Sequence, residues 1–466
     1  MGKFIALLIL LAAAAGAVWY FAGEADPPVI EIAQPARLVG QAGDLDVSIA
    51  APRGELTRLQ VTLRQGTREL PVFNLPAAGS AQLAQESEHR MRLTGSIGKR
   101  DIPEIVAGPL TIEVTAARPV LFGLREVEST ATQEVEVRLT PPHVSVASQF
   151  HYINHGGSEM VVYRVRPEDV ESGVQVGEYE YPGYPASGAG IAGADPGLRV
   201  AFFALLWNQD ADTPINLFAR DEVGNEARAR FDYRVFPKKF RSSRINVSDG
   251  FLQKVVPEIL YNTPELVVSD PNDLLASYLQ INRELRRQNN ARIAAMVAGT
   301  SPEILWRGAF KQLTNTAVEA GFADQRTYVH NGNDVDHQVH LGFDLASTTN
   351  APVLAANSGR VVHAGWLGIY GNCVILDHGM GLQSLYAHLS SISVSEGDEV
   401  EMNGHLGLSG ETGLAGGDHL HFTMLLAGHA VTPIDWWSQQ WVDDRIMRKL
   451  RQASPGQPAP AAQAGQ

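Results

Sequence analysis

The sequence predicts a multidomain, mainly β chain: an N-terminal membrane helix, two β-sandwich-like modules, a short helical segment and a C-terminal all-β domain. Three observations carry that prediction. Apolar residues alternate with period two in short runs through the first half of the chain, with Gly and Pro turns between them. From Ser248 the apolar spacing becomes helical. After about residue 323 short strands return, separated by Gly-rich turns such as Asn357-Ser358-Gly359, His378-Gly379-Met380-Gly381 and Glu396-Gly397-Asp398. At 466 residues the chain is too long for one core, and 44% hydrophobic with 19% charged residues is a globular composition.

The elements follow in order. Residues 1–23 contain an uncharged run from Phe4 to Ala22, preceded by Lys3 and ending near Trp19 and Tyr20, which suit a membrane surface. It reads as an uncleaved signal anchor, with Ala15-Gly16-Ala17 offering a cleavage site as the alternative. Either way the chain beyond Asp26 is exported to the cell envelope; uncleaved, the segment anchors it in the inner membrane with its bulk extracytoplasmic. Residues 28–140 form the first β module, marked by Leu45, Val47 and Ile49, by Leu59, Val61 and Leu63, and by Leu110, Ile112 and Val114. Pro141-Pro142 breaks the ladder. Residues 141–237 form the second, immunoglobulin-like module, closed by strands over 215–219 and 227–235 around the turn Asp221–Asn225. Residues 248–322 are helical, with one start at Ser269-Asp270-Pro271 and another at Ser301-Pro302-Glu303. Residues 323–438 are the C-terminal β domain, and 439–466 a helix end and a disordered Pro-, Ala- and Gln-rich tail.

Charge and cysteine content narrow the function. The formal net charge is -14, and within 323–438 only Arg326 and Arg360 stand against twelve acidic residues, so nucleic acid is not a partner. Cys373 is the sole cysteine, which excludes an intramolecular disulfide; in the run Cys373-Val374-Ile375-Leu376 it reads as a buried thiol.

Chemistry concentrates in three short runs: His340-Leu341-Gly342-Phe343-Asp344, Tyr386-Ala387-His388-Leu389 and Asp418-His419-Leu420-His421-Phe422. On strands, His340, Gly342 and Asp344 share a face, as do His419 and His421. Two imidazoles and a carboxylate make a catalytic zinc set with the fourth position open to water, so the site is expected to be hydrolytic. Ten of the fourteen histidines lie between His330 and His429, so location alone selects none. His337 falls off-face three residues before His340, and Asp377-His378 point to opposite faces of a strand.

These runs, with Ile369-Tyr370-Gly371-Asn372 and Gly407-Leu408-Ser409-Gly410-Glu411-Thr412-Gly413 between them, resemble the lysostaphin-type (LytM) zinc endopeptidases of bacterial cell walls over roughly 328–437. The resemblance implies one zinc ion per chain held by His340, Asp344 and His421, with His388 and His419 as unligated catalytic histidines. Tyr386, on the same strand face as His388, and Asn372 are candidate substrate contacts. The implied activity is hydrolysis of peptidoglycan peptide cross-links by metal-activated water, His419 being the first choice as base and His388 as acid or oxyanion partner. The alternative is a noncatalytic envelope scaffold or amidase activator of the same fold. The β modules would act as spacers or bind an envelope protein partner.

Overall fold

The computed structural model describes residues 2–23, 25–51, 55–75 and 81–454. The chain divides into two compact units: Met1–Pro142 with Arg220–Glu226, and His143–Ala219 with Ala227–Gln466.

In the first unit a helix covers Gly2–Gly23. Its segment Phe4–Ala22 is long and apolar enough to cross a bilayer, with mean hydropathy 2.3. Beyond it lie a four-stranded and a five-stranded sheet. The period-two pattern is the reason they face each other: Val47, Ile49, Leu59, Ile112 and Val114 are fully buried in one core, while their sequence neighbours stay exposed or half-buried. The long hairpin Gly108–Val120 with Arg125–Val137 pairs in register throughout and forms the middle of the larger sheet.

The second unit begins with two four-stranded sheets. The run 227–235 is not a single strand: Glu226–Arg230 joins one sheet, and Tyr233–Phe236 pairs in parallel with His151–Asn154 in another. Ser242–Asn246 pairs in parallel with Asp324–His330, which ties the segment before the helices to the C-terminal domain. That domain is built on an eight-stranded sheet, whose neighbours include Phe343–Ala346, Leu420–Leu426, Leu382–Leu389, Asn372–Gly379 and Gly359–Trp366. Its first strand is Ala317–Ala320, so the sheet starts before residue 323. Fully buried Trp436 packs edge-to-face with Trp306 and Phe310 and at a tilt against Trp441, inside one core that runs from Val144 to Leu450.

The helical segment departs from expectation at two starts. A helix over Asp249–Asn262 is capped by Ser248, whose hydroxyl accepts from the Phe251 N–H. The next helix begins at Leu274 and not at Pro271, because Asp273 caps it through the Ala276 N–H. It continues through a π-helical turn, Ile281–Leu285, into Arg286–Ala295. No helix forms after Ser301-Pro302-Glu303. There the backbone N–H groups of Ile304, Leu305, Phe310 and Lys311 donate to Gly188, His378, Trp436 and Ala356, so tertiary partners replace the helical ladder. The C-terminal helix ends at Ala453, and most of the expected tail, 455–466, lies outside the described residues.

Candidate metal centre

Three adjacent strands converge on the site. Asp344 stands directly opposite His421 across one ladder, and His421 stands opposite Ala387 across the next. Side chains opposite each other point to the same face. His340 ends the strand Asn333–His340, and the chain breaks at Leu341-Gly342 before the strand Phe343–Ala346. H-x-G-x-D is therefore two strand ends meeting at a bend, not one continuous strand. The glycine is required there: a Cβ on Gly342 would come within 2.6 Å of the His421 ring.

The three side chains converge on one another. His340 Nε2 lies 2.8 Å from Asp344 Oδ1 and 3.0 Å from His421 Nδ1, which is 2.9 Å from the same Oδ1. Tetrahedral zinc ligands stand about 3.3 Å apart, so the set fits the ion after widening by a few tenths of an ångström. The outward-facing atoms fix the inward-facing lone pairs. His340 Nδ1 donates to Gly321 O at 3.0 Å, leaving Nε2 for the site. Thr423 spends its hydroxyl proton on Leu341 O at 2.9 Å, so its oxygen accepts from His421 Nε2 at 3.0 Å and His421 Nδ1 is the free base. Arg326 holds the other carboxylate oxygen, Asp344 Oδ2, at 2.9 Å. Every donor is thus oriented from behind.

The two remaining histidines of the runs flank this triad. His388 has φ 61, a left-handed conformation that resets strand alternation and swings its ring to 4.9 Å from that of His419 and 5.7 Å from that of His421. Its Nδ1 donates to Thr412 O at 2.7 Å, which leaves Nε2 as an acceptor. His419 is held likewise, Nδ1 on Gly417 O at 2.8 Å, with Nε2 at 3.5 Å from Asp344 Oδ1. Burial drives His388 well below the usual imidazole range, helped by the other histidines, and drives His421 down to about 4. Burial works against charge on His419 too, but Asp344 outweighs it and raises its pKa. At Asp344 burial is outweighed by His340, His419 and His421, which hold the carboxyl well below its usual range. The pair His388 and His419 is therefore split, one a neutral acceptor and the other readier to carry a proton.

Of the two candidate substrate contacts, Tyr386 turns into the core and Asn372 is half-buried beside the strand ends. Tyr386 is buried, and its hydroxyl accepts from the Ala356 N–H at 2.8 Å and from Ser384 Oγ at 3.0 Å, so it is a core residue. Because His388 is left-handed, Tyr386 does not share its face. Asn372 donates its amide to Leu389 O at 3.1 Å and braces the strand ends. Beside it Gly371 has φ 62, and a Cβ there would meet Thr412 Oγ1 at 2.3 Å. His378 is buried between Ser358 O and Ser384 Oγ, away from the triad.

The site opens into a cavity of ≈ 570 Å³ whose walls include His340, Asp344, His388, His419 and His421. Residues that sequence reasoning missed complete it: Tyr370, Arg326 and Glu319 from the β domain, and Phe251, Tyr278 and Arg286 from the helical segment. Arg326 carried a signal, as one of two cations in an acidic stretch, and Thr423 another, two residues beyond His421 on the same strand face.

Residues 338–433 match Peptidase family M23. The M23 segment is 38% identical over 97 residues to the DD-carboxypeptidase/endopeptidase Mpg of Neisseria meningitidis serogroup B, covering 21% of this chain and 22% of that protein. It is 36% identical over 95 residues to the murein hydrolase activator EnvC of Escherichia coli, covering 20% and 23%. Among solved structures, the catalytic domain of lysostaphin from Staphylococcus simulans is 28% identical, covers 28% of this chain and 98% of that one, and superposes with a TM-score of 0.25. The chain thus spans only about a fifth of the length of the curated relatives it matches.

Proposed function

We propose that the chain is a zinc-dependent endopeptidase that hydrolyses peptide cross-links of peptidoglycan, exported and held at the membrane by its first helix. One observation carries the reading: His340, Asp344, His421, His388 and His419 meet at one cavity, each oriented by a hydrogen bond from behind. Zinc held by His340, Asp344 and His421 would supply Lewis-acid chemistry, acidifying water and polarising the scissile carbonyl. The chain's own residues do the rest. His419 and His388 present Nε2 toward the reacting atoms, one taking the proton from water and one donating to the oxyanion or the leaving amine. Their carbonyl partners Thr412 and Gly417 keep both rings in the required tautomer. The cavity walls reduce water access and strengthen each of these interactions.

A second reading, a noncatalytic activator, is favoured by the similarity to EnvC. Incubating the detergent-solubilised chain with purified sacculi separates the two. The enzyme reading predicts muropeptide monomers released from dimers, arrested by chelator and absent with His388→Ala. Intact sacculi together with stimulation of a separate amidase would favour the activator.

A further inference from the structure

The metal cavity contains one guanidinium that the proposed chemistry does not use. Arg286 is half-buried and lines the same cavity as the triad. Tyr370, which lines the same cavity, has its ring 5.7 Å from that of His421. Arg326 spends its charge on Asp344 and Asp324. Arg286 has no carboxylate within ion-pair distance among the described residues; of the two wall carboxylates, Asp344 is held by Arg326 and Glu319 is exposed.

The side chain is nevertheless fixed. Arg286 Nε donates to Asn282 O at 3.1 Å and Nη2 to Asn282 Oδ1 at 2.6 Å. Asn282 is itself fully buried, and its Nδ2 donates to Asp336 Oδ2 at 2.8 Å, which compels Oδ1 to face the arginine. Asp336 is gripped in turn by Arg283 at 2.8 Å. Asn282 lies in the π-helical turn Ile281–Leu285. Such turns inside α-helices recur at functional sites because they redirect side chains. Of the five guanidinium donors, two are committed to Asn282, and the end-on fork of Nη1 and Nη2 stays open.

A rigid, partly desolvated fork with an uncompensated charge matches a carboxylate bidentately. We propose that Arg286 is a specificity-determining residue that binds a free carboxylate of the substrate peptide, next to the scissile amide. This deepens the endopeptidase reading and rests on it for the identity of the peptide. The ligand class is a cross-linked peptide whose α-carboxylate near the cleavage point is ionised, as against one whose carboxylate is amidated. The Asp336–Asn282 relay positions the guanidinium without touching substrate.

The test uses the full chain and two probes: a muropeptide dimer with a free carboxylate beside the cross-link, and the same dimer with that carboxylate converted to carboxamide. Binding is measured on chelator-treated protein by calorimetry, and hydrolysis separately on the zinc-loaded form. The wild type should bind the carboxylate probe about tenfold or more tightly than the amide. Arg286→Gln should erase that preference, chiefly through KM and not kcat, and Arg286→Lys should restore part of it, since it keeps the charge but not the fork. Should Arg286→Gln unfold, Asn282→Ala, which frees the guanidinium without removing it, should weaken the preference. Equal binding of the two probes by the wild type, or an undiminished preference in Arg286→Gln, overturns the proposal. Discrimination in binding with no hydrolysis of either probe leaves the carboxylate site standing and removes the enzyme reading instead.

Discussion

Replacing Thr423 with Val tests whether the ligands are held by their outer partners. The two side chains are nearly the same shape, so the change removes one hydroxyl and little else. That hydroxyl bridges His421 Nε2 at 3.0 Å and Leu341 O at 2.9 Å, inside a buried site. Losing it orphans one N–H and one carbonyl, at about 1–3 kcal/mol each if neither finds water. His421 can then rotate or change tautomer, and Nδ1 is no longer compelled to present its lone pair. Loss of such outer partners weakens metal affinity by about 10–100-fold. Competition with a fluorescent zinc chelator reads the affinity directly, and Thr423→Ser, which keeps the hydroxyl, serves as the control. Zinc affinity in Thr423→Val within a factor of two of the wild type would refute the claim that Thr423 sets the His421 tautomer.

Three further outcomes follow from the same geometry. His388→Ala and His419→Ala should each keep zinc and lose about 10²–10⁴-fold in hydrolysis of muropeptide dimers; loss of the metal with the activity would move either residue into the ligand set. Lys449→Met should destabilise the second unit by about 3–5 kcal/mol in urea unfolding, because Glu159, fully buried and 2.7 Å from Lys449 Nζ, would be left without its counter-charge. Burial raises the Asp435 carboxyl to about 6, against the opposing pull of Asn154 and Ser158, so the folded chain holds a proton there that the unfolded chain has released. Stability should therefore fall as pH rises from about 4 to 6, by up to about 3 kcal/mol, and Asp435→Asn should flatten that slope; an unchanged slope would show that the titration lies elsewhere.

Much of this was legible in the sequence, for identifiable reasons. Period-two runs such as Leu59, Val61 and Leu63 mark strands because burial on one face dictates their spacing. The H-x-G-x-D and H-x-H runs announced the donor set, and the structure brings His340, Asp344 and His421 together, though across a bend and not along one strand face. What escaped was decided by tertiary partners. Ser301-Pro302-Glu303 has the chemistry of a helix start, yet its backbone finds distant acceptors that no local pattern encodes. Asp273, not Ser269, caps its helix, since both are competent and only packing chooses. Tyr386 was misplaced because the left-handed turn at His388 breaks the alternation on which the assignment relied. Arg286 was invisible because its path into the cavity depends on a π-helical turn more than thirty residues before the β domain.

The central claim is that His340, Asp344 and His421 hold one zinc ion, and elemental analysis of the folded, purified chain tests it most directly. The account predicts one zinc per chain in the wild type and in His388→Ala, and almost none in His340→Ala that remains folded by circular dichroism. A folded wild type that takes up no metal on incubation with zinc, or His340→Ala that retains a full equivalent, would contradict it.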